Sequence, residues 1–193
     1  MNSQGKDILH NYMLLNGGLS VAKTVMWALF IIPWLSLFLM DRMALRKYMP
    51  VALLATVLNT IIYQMAWTFD WWKYKITLFS WDKVAQVHTV YGVFLVGTIW
   101  VFRWTYGRFW VYLLVNLGID LIYAYGFRAL WRAMEITTGG NLPAIGSLSI
   151  MLSIAVLLYG YQMWQDNVFA KGNDDFKNGK FAKIPSRSKS GAR

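Results

Sequence analysis

Five long apolar runs divide this chain, and the segments between them are short. Each run has roughly the 20 helical residues that cross a hydrocarbon core of about 30 Å. The sequence therefore predicts an all-α integral membrane protein, a bundle of five transmembrane helices. The predicted spans are Ser20–Met40, Tyr48–Phe69, Lys83–Val101, Phe109–Phe127 and Ala144–Trp164. With their connections they form one domain, residues 1–164.

Composition agrees with this class. Hydrophobic residues make up 57% of the chain and charged residues 15%, against about 25% charged in a typical soluble domain. The absence of cysteine excludes disulfides and thiolate chemistry. The net charge of +10 comes from cations at span ends and in the C-terminal part, and no nucleic-acid-binding motif accompanies it. We therefore expect no nucleic-acid partner.

The cations also predict an orientation. With the N-terminus outside, the inside segments carry twice as many Lys and Arg residues as the outside segments, which follows the positive-inside rule. Much of that excess lies in residues 165–193, a polar, cationic segment that we expect to be a disordered cytoplasmic tail. Its lysines would meet anionic lipid of the inner leaflet. The expected location is the cell membrane, with multiple spans.

Aromatic side chains concentrate in the connection Asp70–Asp82 (DWWKYKITLFSWD). Such side chains favour the depth where acyl chains meet headgroups. We expect four of them to lie at the interface or to contact lipid, with a lip that binds a sugar or a lipid headgroup as the alternative. The four are Trp71, Trp72, Tyr74 and Trp81. Ser80 is the predicted N-cap of the third span.

Polar side chains inside the spans form the second candidate site. Asn116, Asp120 and Tyr123 share one face of the fourth span. Charged groups in hydrocarbon are costly and tend to face the bundle interior. In the N-outside orientation, polar residues of several spans converge on the outer half of the membrane. The candidate pocket consists of Asp120, Asn116, Tyr123, Asn59, Tyr63, His88 and Lys23. The residues suggest no catalytic group, cofactor or metal site.

The layout resembles that of small, uncharacterised multi-helix membrane proteins of Gram-positive spore-forming bacteria. The resemblance covers Met40–Ile136: a cationic break at Asp41–Lys47, a second span that opens with Tyr48-Met49-Pro50, the Trp-rich connection, and re-entry at Arg108-Phe109-Trp110. It implies a bacterial cell-membrane protein and no particular activity.

Three functions stay open at this point. The sequence favours a non-enzymatic membrane protein that acts through helix, lipid or partner contacts, the partner being another membrane protein or a second copy of the chain. The first alternative is a small transporter or a lipid or small-molecule binder that uses the polar pocket around Asp120. The second is a membrane enzyme with Asp120 and His88 as acid–base groups.

Overall fold

A computed structural model describes the backbone of residues 3–134, 136–138 and 140–177, and the side chains of residues 18–134, 136–137 and 140–170. The described part is mostly helical, as the sequence predicts. Its α-helices are α1 (Ser3–Ser36), α2 (Arg42–Thr68), α3 (Leu95–Thr105), α4 (Phe109–Leu121), α5 (Arg128–Ala133) and α6 (Ala144–Lys177). A 3-10 turn, Leu37–Leu39, extends α1.

Four helices of the described chain are long and apolar enough to cross a membrane. They match the first, second, fourth and fifth predicted spans, with shifted ends: Gly18–Leu39, Arg42–Thr68, Phe109–Ala133 and Ala144–Ala170. The third predicted span is helical from His88 to Thr105 but is not one of the four. This segment includes several fully buried residues, among them Val90, Ile99 and Phe102, so it runs through the interior of the bundle.

Two π-helical segments interrupt the α-helical geometry. His88–Phe94 leads directly into α3, and Ile122–Phe127 joins α4 to α5. A π-turn widens the helix by one residue per turn, and such turns occur frequently at functional sites. Both segments contribute side chains to the cavities described below.

The apolar interior is divided into two clusters. The larger cluster packs α2, α3, α4 and α6 around Phe102, Tyr112 and Tyr159. The smaller one joins α1 to α5 and the aromatic connection through Met26, Trp131 and neighbouring apolar side chains. Along α2, α4 and α6, the polar candidate residues and the cavities lie between the larger cluster and the end of the bundle that carries the aromatic connection.

Close approach between α1 and the π-helical segment His88–Phe94 depends on Gly92. A Cβ atom on Gly92 would lie 2.7 Å from the Leu29 carbonyl oxygen, so a larger residue would push the two helices apart. The Trp34 indole Nε1 also donates to the Tyr91 carbonyl oxygen at 3.0 Å. On α3, the Trp100 indole donates to the Ser36 hydroxyl at 2.9 Å. The segment His88–Phe94 and α3 form one continuous helix, which we call the central helix. These contacts fix α1 along its length.

The aromatic connection is more ordered than a simple interfacial loop. Lys73–Tyr74 (β1) pairs antiparallel with Thr137–Thr138 (β2), so Tyr74 lies opposite Thr137. Gly140 packs directly on the Trp71 backbone, where a side chain would have no space. The strand pairing and the Gly140 contact therefore hold the aromatic connection, which follows α2, against the connection between α5 and α6.

The start of the central helix differs from the sequence prediction, which placed the N-cap at Ser80. The Asp82 carboxylate is 2% exposed and accepts from the Val87 N–H at 3.0 Å, so it occupies that capping role. Burial raises the pKa of the Asp82 carboxyl to about 6. Its charged form is disfavoured because the surrounding protein replaces water.

The C-terminal helix extends past the predicted start of the tail at Gln165. Its backbone is helical to Lys177, and the predicted tail beyond that residue lies outside the described part of the chain. At this end the Lys47 ammonium lies 3.0 Å from an Asp166 carboxylate oxygen. Arg103 forms an ion pair with Asp41. The N-terminal end of α2, the C-terminal end of α3 and the distal part of α6 therefore meet at one end of the bundle.

Candidate functional site

The main cavity has a volume of about 350 Å³ and lies between α1, the central helix and α4. Ligand sites commonly have volumes of about 300–1,000 Å³. Most of its lining is apolar, and the polar lining residues are Thr89, Thr98, Asn116, Asp120 and Tyr123. The cavity therefore combines an apolar wall with a few polar groups, the composition that suits an amphipathic molecule.

This cavity reaches the outer surface of the bundle. Three of its lining side chains are also substantially exposed there: Val93 at 39%, Ile119 at 47% and Ile122 at 61%. All three lie partway along continuous helices rather than at the ends of the bundle, so the opening is on the side of the bundle.

Two smaller cavities adjoin the main one. One, of about 50 Å³, extends from Asp120 and Asn116 to Asn59 on α2. The other, of about 70 Å³, lies beneath the aromatic connection. Phe94 and Met151 line all three cavities. The three cavities are thus neighbouring compartments separated by a few side chains.

Asp120 is the acidic group of this site. Its side chain is 8% exposed and lines both the main cavity and the Asn59 compartment. Within the described chain, its carboxylate forms no hydrogen bond or salt bridge. A buried carboxylate without an internal partner is costly. The arrangement leaves its oxygens available to a molecule in the cavity.

The neighbouring polar residues are hydrogen-bonded in part. The Asn116 Nδ2 donates to the Tyr112 carbonyl oxygen at 2.8 Å, and the Asn59 Nδ2 donates to the Ala55 carbonyl oxygen at 2.9 Å. Neither amide oxygen accepts a hydrogen bond from the residues that the structure describes, so each can accept from a ligand. The Tyr63 hydroxyl oxygen lies 3.4 Å from that of Tyr123. Asn59, Asn116, Tyr63, Tyr123 and Asp120 each line at least one of the three neighbouring cavities.

His88 and Lys23 lie elsewhere. His88 is fully buried, its ring stands edge-on to Trp131 at 6.4 Å, and neither ring nitrogen has a hydrogen-bond partner within the described residues. It lines none of the three cavities. Lys23 is exposed on α1. The sequence placed both residues at about the same depth as Asp120. Their side chains lie on helix faces that do not line the cavities.

The four aromatic candidates divide into two pairs. Trp72 and Tyr74 line the compartment beneath the connection, and the Tyr74 ring stacks on Tyr63 with centroids 6.2 Å apart. Burial raises the pKa of the Tyr74 hydroxyl well above its usual value, so it is a neutral hydrogen-bonding group. Trp71 stacks on Phe69 at 5.8 Å, and Trp81 is 70% exposed. Neither Trp71 nor Trp81 lines that compartment.

Two arginines complete the site and were not among the sequence candidates. Arg128 and Arg132 lie one turn apart on α5 and both line the compartment beneath the connection. The Arg128 guanidinium donates to the Leu142 carbonyl oxygen at 2.9 Å. In the sequence they are visible only as a cationic pair after the fourth span. Their spacing of four residues, which puts both on one helix face, was the available signal.

Within the described residues, no group of three His, Cys, Asp or Glu side chains is arranged to hold a metal ion. No protein-family model matches the chain, and no curated protein or solved structure shows significant similarity to it. The functional interpretation therefore depends on the geometry of the cavities.

Proposed function

We propose that this chain is a multi-pass membrane protein that binds a lipid-like, amphipathic ligand in the cavity at Asp120. The supporting observation is a cavity of about 350 Å³ that has an apolar wall, a buried carboxylate without an internal partner and a sideways opening. An apolar ligand portion would fill the wall region. A polar group of the ligand would meet Asp120.

The proposal includes a fifth span, His88–Thr105. At about 1.5 Å per residue this segment is about 27 Å long, close to the hydrocarbon thickness. Its moderate apolarity is compatible with this role, because other helices shield it from lipid and its buried face has Val90, Ile99 and Phe102 at 0% exposure. A helix in the interior of a bundle does not need apolar residues on every face.

The proposed orientation has the N-terminus outside and the C-terminus in the cytoplasm of a bacterial cell. Support comes from the cations that meet at one end of the bundle, including Lys47 and Arg103 with their acidic partners. By the positive-inside rule, that end faces the cytoplasm. The cationic tail would then contact anionic lipids of the inner leaflet. A second copy or another membrane protein remains a candidate partner on the exposed helix faces.

The enzyme alternative has less support. Acid–base catalysis requires both groups within reach of one substrate. Asp120 lines the cavities, whereas the His88 ring lies against Trp131 and lines none of them. A binding function needs only the cavity and its polar groups.

Gly97 provides the test of this proposal. It lines the main cavity, and a Cβ atom there would meet nothing within 4 Å. The backbone at Gly97 therefore accepts a side chain, and Gly97→Phe should place its ring in the cavity and strengthen the helix, since glycine is a poor helix former. Gly118→Phe is the matched control, because Gly118 also has open space around it but does not line the cavity.

The measurement is native mass spectrometry of both variants and the parent, purified in mild detergent from lipid membranes. We expect the parent and Gly118→Phe to retain a bound lipid-like mass, and Gly97→Phe to lose most of it. Equal retention in the two variants would refute ligand binding in this cavity. Circular dichroism of each sample would verify that helix content is unchanged.

A further inference from the structure

We propose that the ligand is a membrane lipid with an anionic phosphate headgroup, which Arg128 and Arg132 bind in the compartment beneath the aromatic connection. This inference depends on the proposed function, since it places the acyl chain of the same ligand in the main cavity. It identifies the chemical class of that ligand.

The charge of the compartment is the first argument. Arg128 is half-buried and Arg132 is exposed, and both line the compartment. Among the described residues, neither guanidinium forms a salt bridge. Two neighbouring cations repel each other, and an anion between them would relieve that repulsion. Guanidinium groups also match phosphate oxygens in geometry, with two N–H donors per group.

The remaining lining suits a headgroup. Four hydroxyl-bearing residues, Tyr63, Tyr74, Thr137 and Ser147, line the same compartment, and a hydroxyl can donate to phosphate or glycerol oxygens. Its volume of about 70 Å³ has room for a small polar group but not for an acyl chain. Trp72 also lines the compartment, and its amphipathic ring is of the kind found at headgroup depth.

The path from headgroup to chain is the third argument. The compartment and the main cavity share Phe94, Tyr123, Trp131 and Met151 as lining residues, so they lie side by side. Arg128 and Asp120 are separated by two helical turns, about 12 Å along the axis. A lipid with its phosphate at Arg128 and Arg132 would therefore place its glycerol or upper acyl region near Asp120. The sideways opening at Ile119 and Ile122 admits it from the bilayer.

The test compares lipid retention from vesicles of equal amounts of phosphatidylglycerol and phosphatidylcholine with matched acyl chains. The parent and its variants are reconstituted, extracted in mild detergent and analysed by native mass spectrometry. We expect the parent to retain phosphatidylglycerol on the order of thirtyfold over phosphatidylcholine, the ratio that corresponds to about 1 kcal/mol for each of the two arginines. Arg132→Gln should lower that ratio to about fivefold, because Arg128 remains.

Lys75→Gln is the matched control. Lys75 is exposed on the aromatic connection, does not line the compartment, and its loss changes the net charge equally. This variant should retain the parent preference. An equal fall of the ratio in Lys75→Gln and Arg132→Gln would overturn the headgroup site, because it would indicate a general charge effect.

The two proposals fail in different ways. If the parent retains both lipids equally while Gly97→Phe still loses them, the cavity binds lipid but the headgroup inference is wrong. If Gly97→Phe retains lipid as well as Gly118→Phe does, the cavity proposal itself is wrong. An unchanged phosphatidylglycerol preference in Arg132→Gln would also contradict the inference.

Discussion

The hydroxyl oxygens of Tyr63 and Tyr123 lie 3.4 Å apart, although the two residues are 60 positions apart in the chain. The same Tyr63 oxygen lies 3.3 Å from that of Tyr74. Three phenols from α2, the π-segment after α4 and the aromatic connection therefore meet at one point. All three tyrosines line the compartment that we assign to a headgroup. Their contacts therefore contribute both to the fold and to the proposed binding site.

Tyr63→Phe should destabilise the protein by about 1 kcal/mol. The substitution keeps the ring that stacks on Tyr74 but removes the hydroxyl and with it both contacts, each a net gain of roughly 0.5–1.5 kcal/mol and here at the long end of hydrogen-bond distances. Thermal unfolding in detergent, followed by tryptophan fluorescence, measures the effect. Tyr125→Phe is the control, since Tyr125 lies in the same π-segment and is 59% exposed. Equal losses in the two variants would contradict a role for the phenol contacts.

Asp120→Leu should not reduce stability and should raise the free energy of unfolding by on the order of 1 kcal/mol. The carboxylate has no internal hydrogen bond within the described chain, so its removal relieves the cost of burying it. Asp120→Asn should fall between the parent and the Leu variant. Both should retain less lipid in native mass spectrometry. A clear loss of stability in the Leu variant would mean that Asp120 has a structural partner.

Stability should fall as the pH rises from about 4 to about 6, in part through Asp82. Its folded pKa of about 6 exceeds the unfolded value of about 3.9, so the folded state binds more protons in this interval and loses stability as they dissociate. The contribution over this interval should be about 2 kcal/mol. Asp82→Asn keeps an acceptor for the Val87 N–H and should remove this part of the slope. Unfolding midpoints at pH 4, 5, 6 and 7 test it, and identical slopes in parent and variant would contradict the assignment.

The proposed topology predicts the location of the C-terminus. A cytoplasm-dependent fluorescent reporter fused after Arg193 should be active, whereas a reporter that works only outside the cytoplasm should be silent at the same position. The cation distribution is the physical reason. The opposite pair of results would mean that the bundle has the reverse orientation in the membrane. The headgroup compartment would then face the inner leaflet.

Helix positions could be predicted because they depend on local patterns. Apolar runs of spanning length indicated the four apolar helices, and the spacing of Asn116, Asp120 and Tyr123 is enough to place them on one helix face. All three residues line the main cavity. Depth along a helix says nothing of rotation about its axis, however. His88 and Lys23 share the depth of the polar group, but the first contacts Trp131 and the second is exposed.

Other features depend on contacts between distant parts of the chain and leave little local signal. The strands at Lys73–Tyr74 and Thr137–Thr138 are two residues each, too short for an alternation pattern. The compartment with Arg128 and Arg132 is lined in part by Tyr74 and Thr137, which this pairing brings together. The contact at the helix start is local by contrast, because Asp82 accepts from the Val87 N–H only five residues later. The capping pattern alone favoured Ser80.

The most direct test of the central claim is to locate a bound lipid by crystallography. Crystals grown from a lipidic mesophase that contains phosphatidylglycerol with brominated acyl chains would reveal bromine positions through anomalous scattering. The proposal predicts a bromine peak inside the main cavity, beside Gly97, Thr98 and Asp120, with phosphate density at Arg128 and Arg132. Bromine peaks only on the outer surface of the bundle, with the cavity empty or holding water, would contradict it.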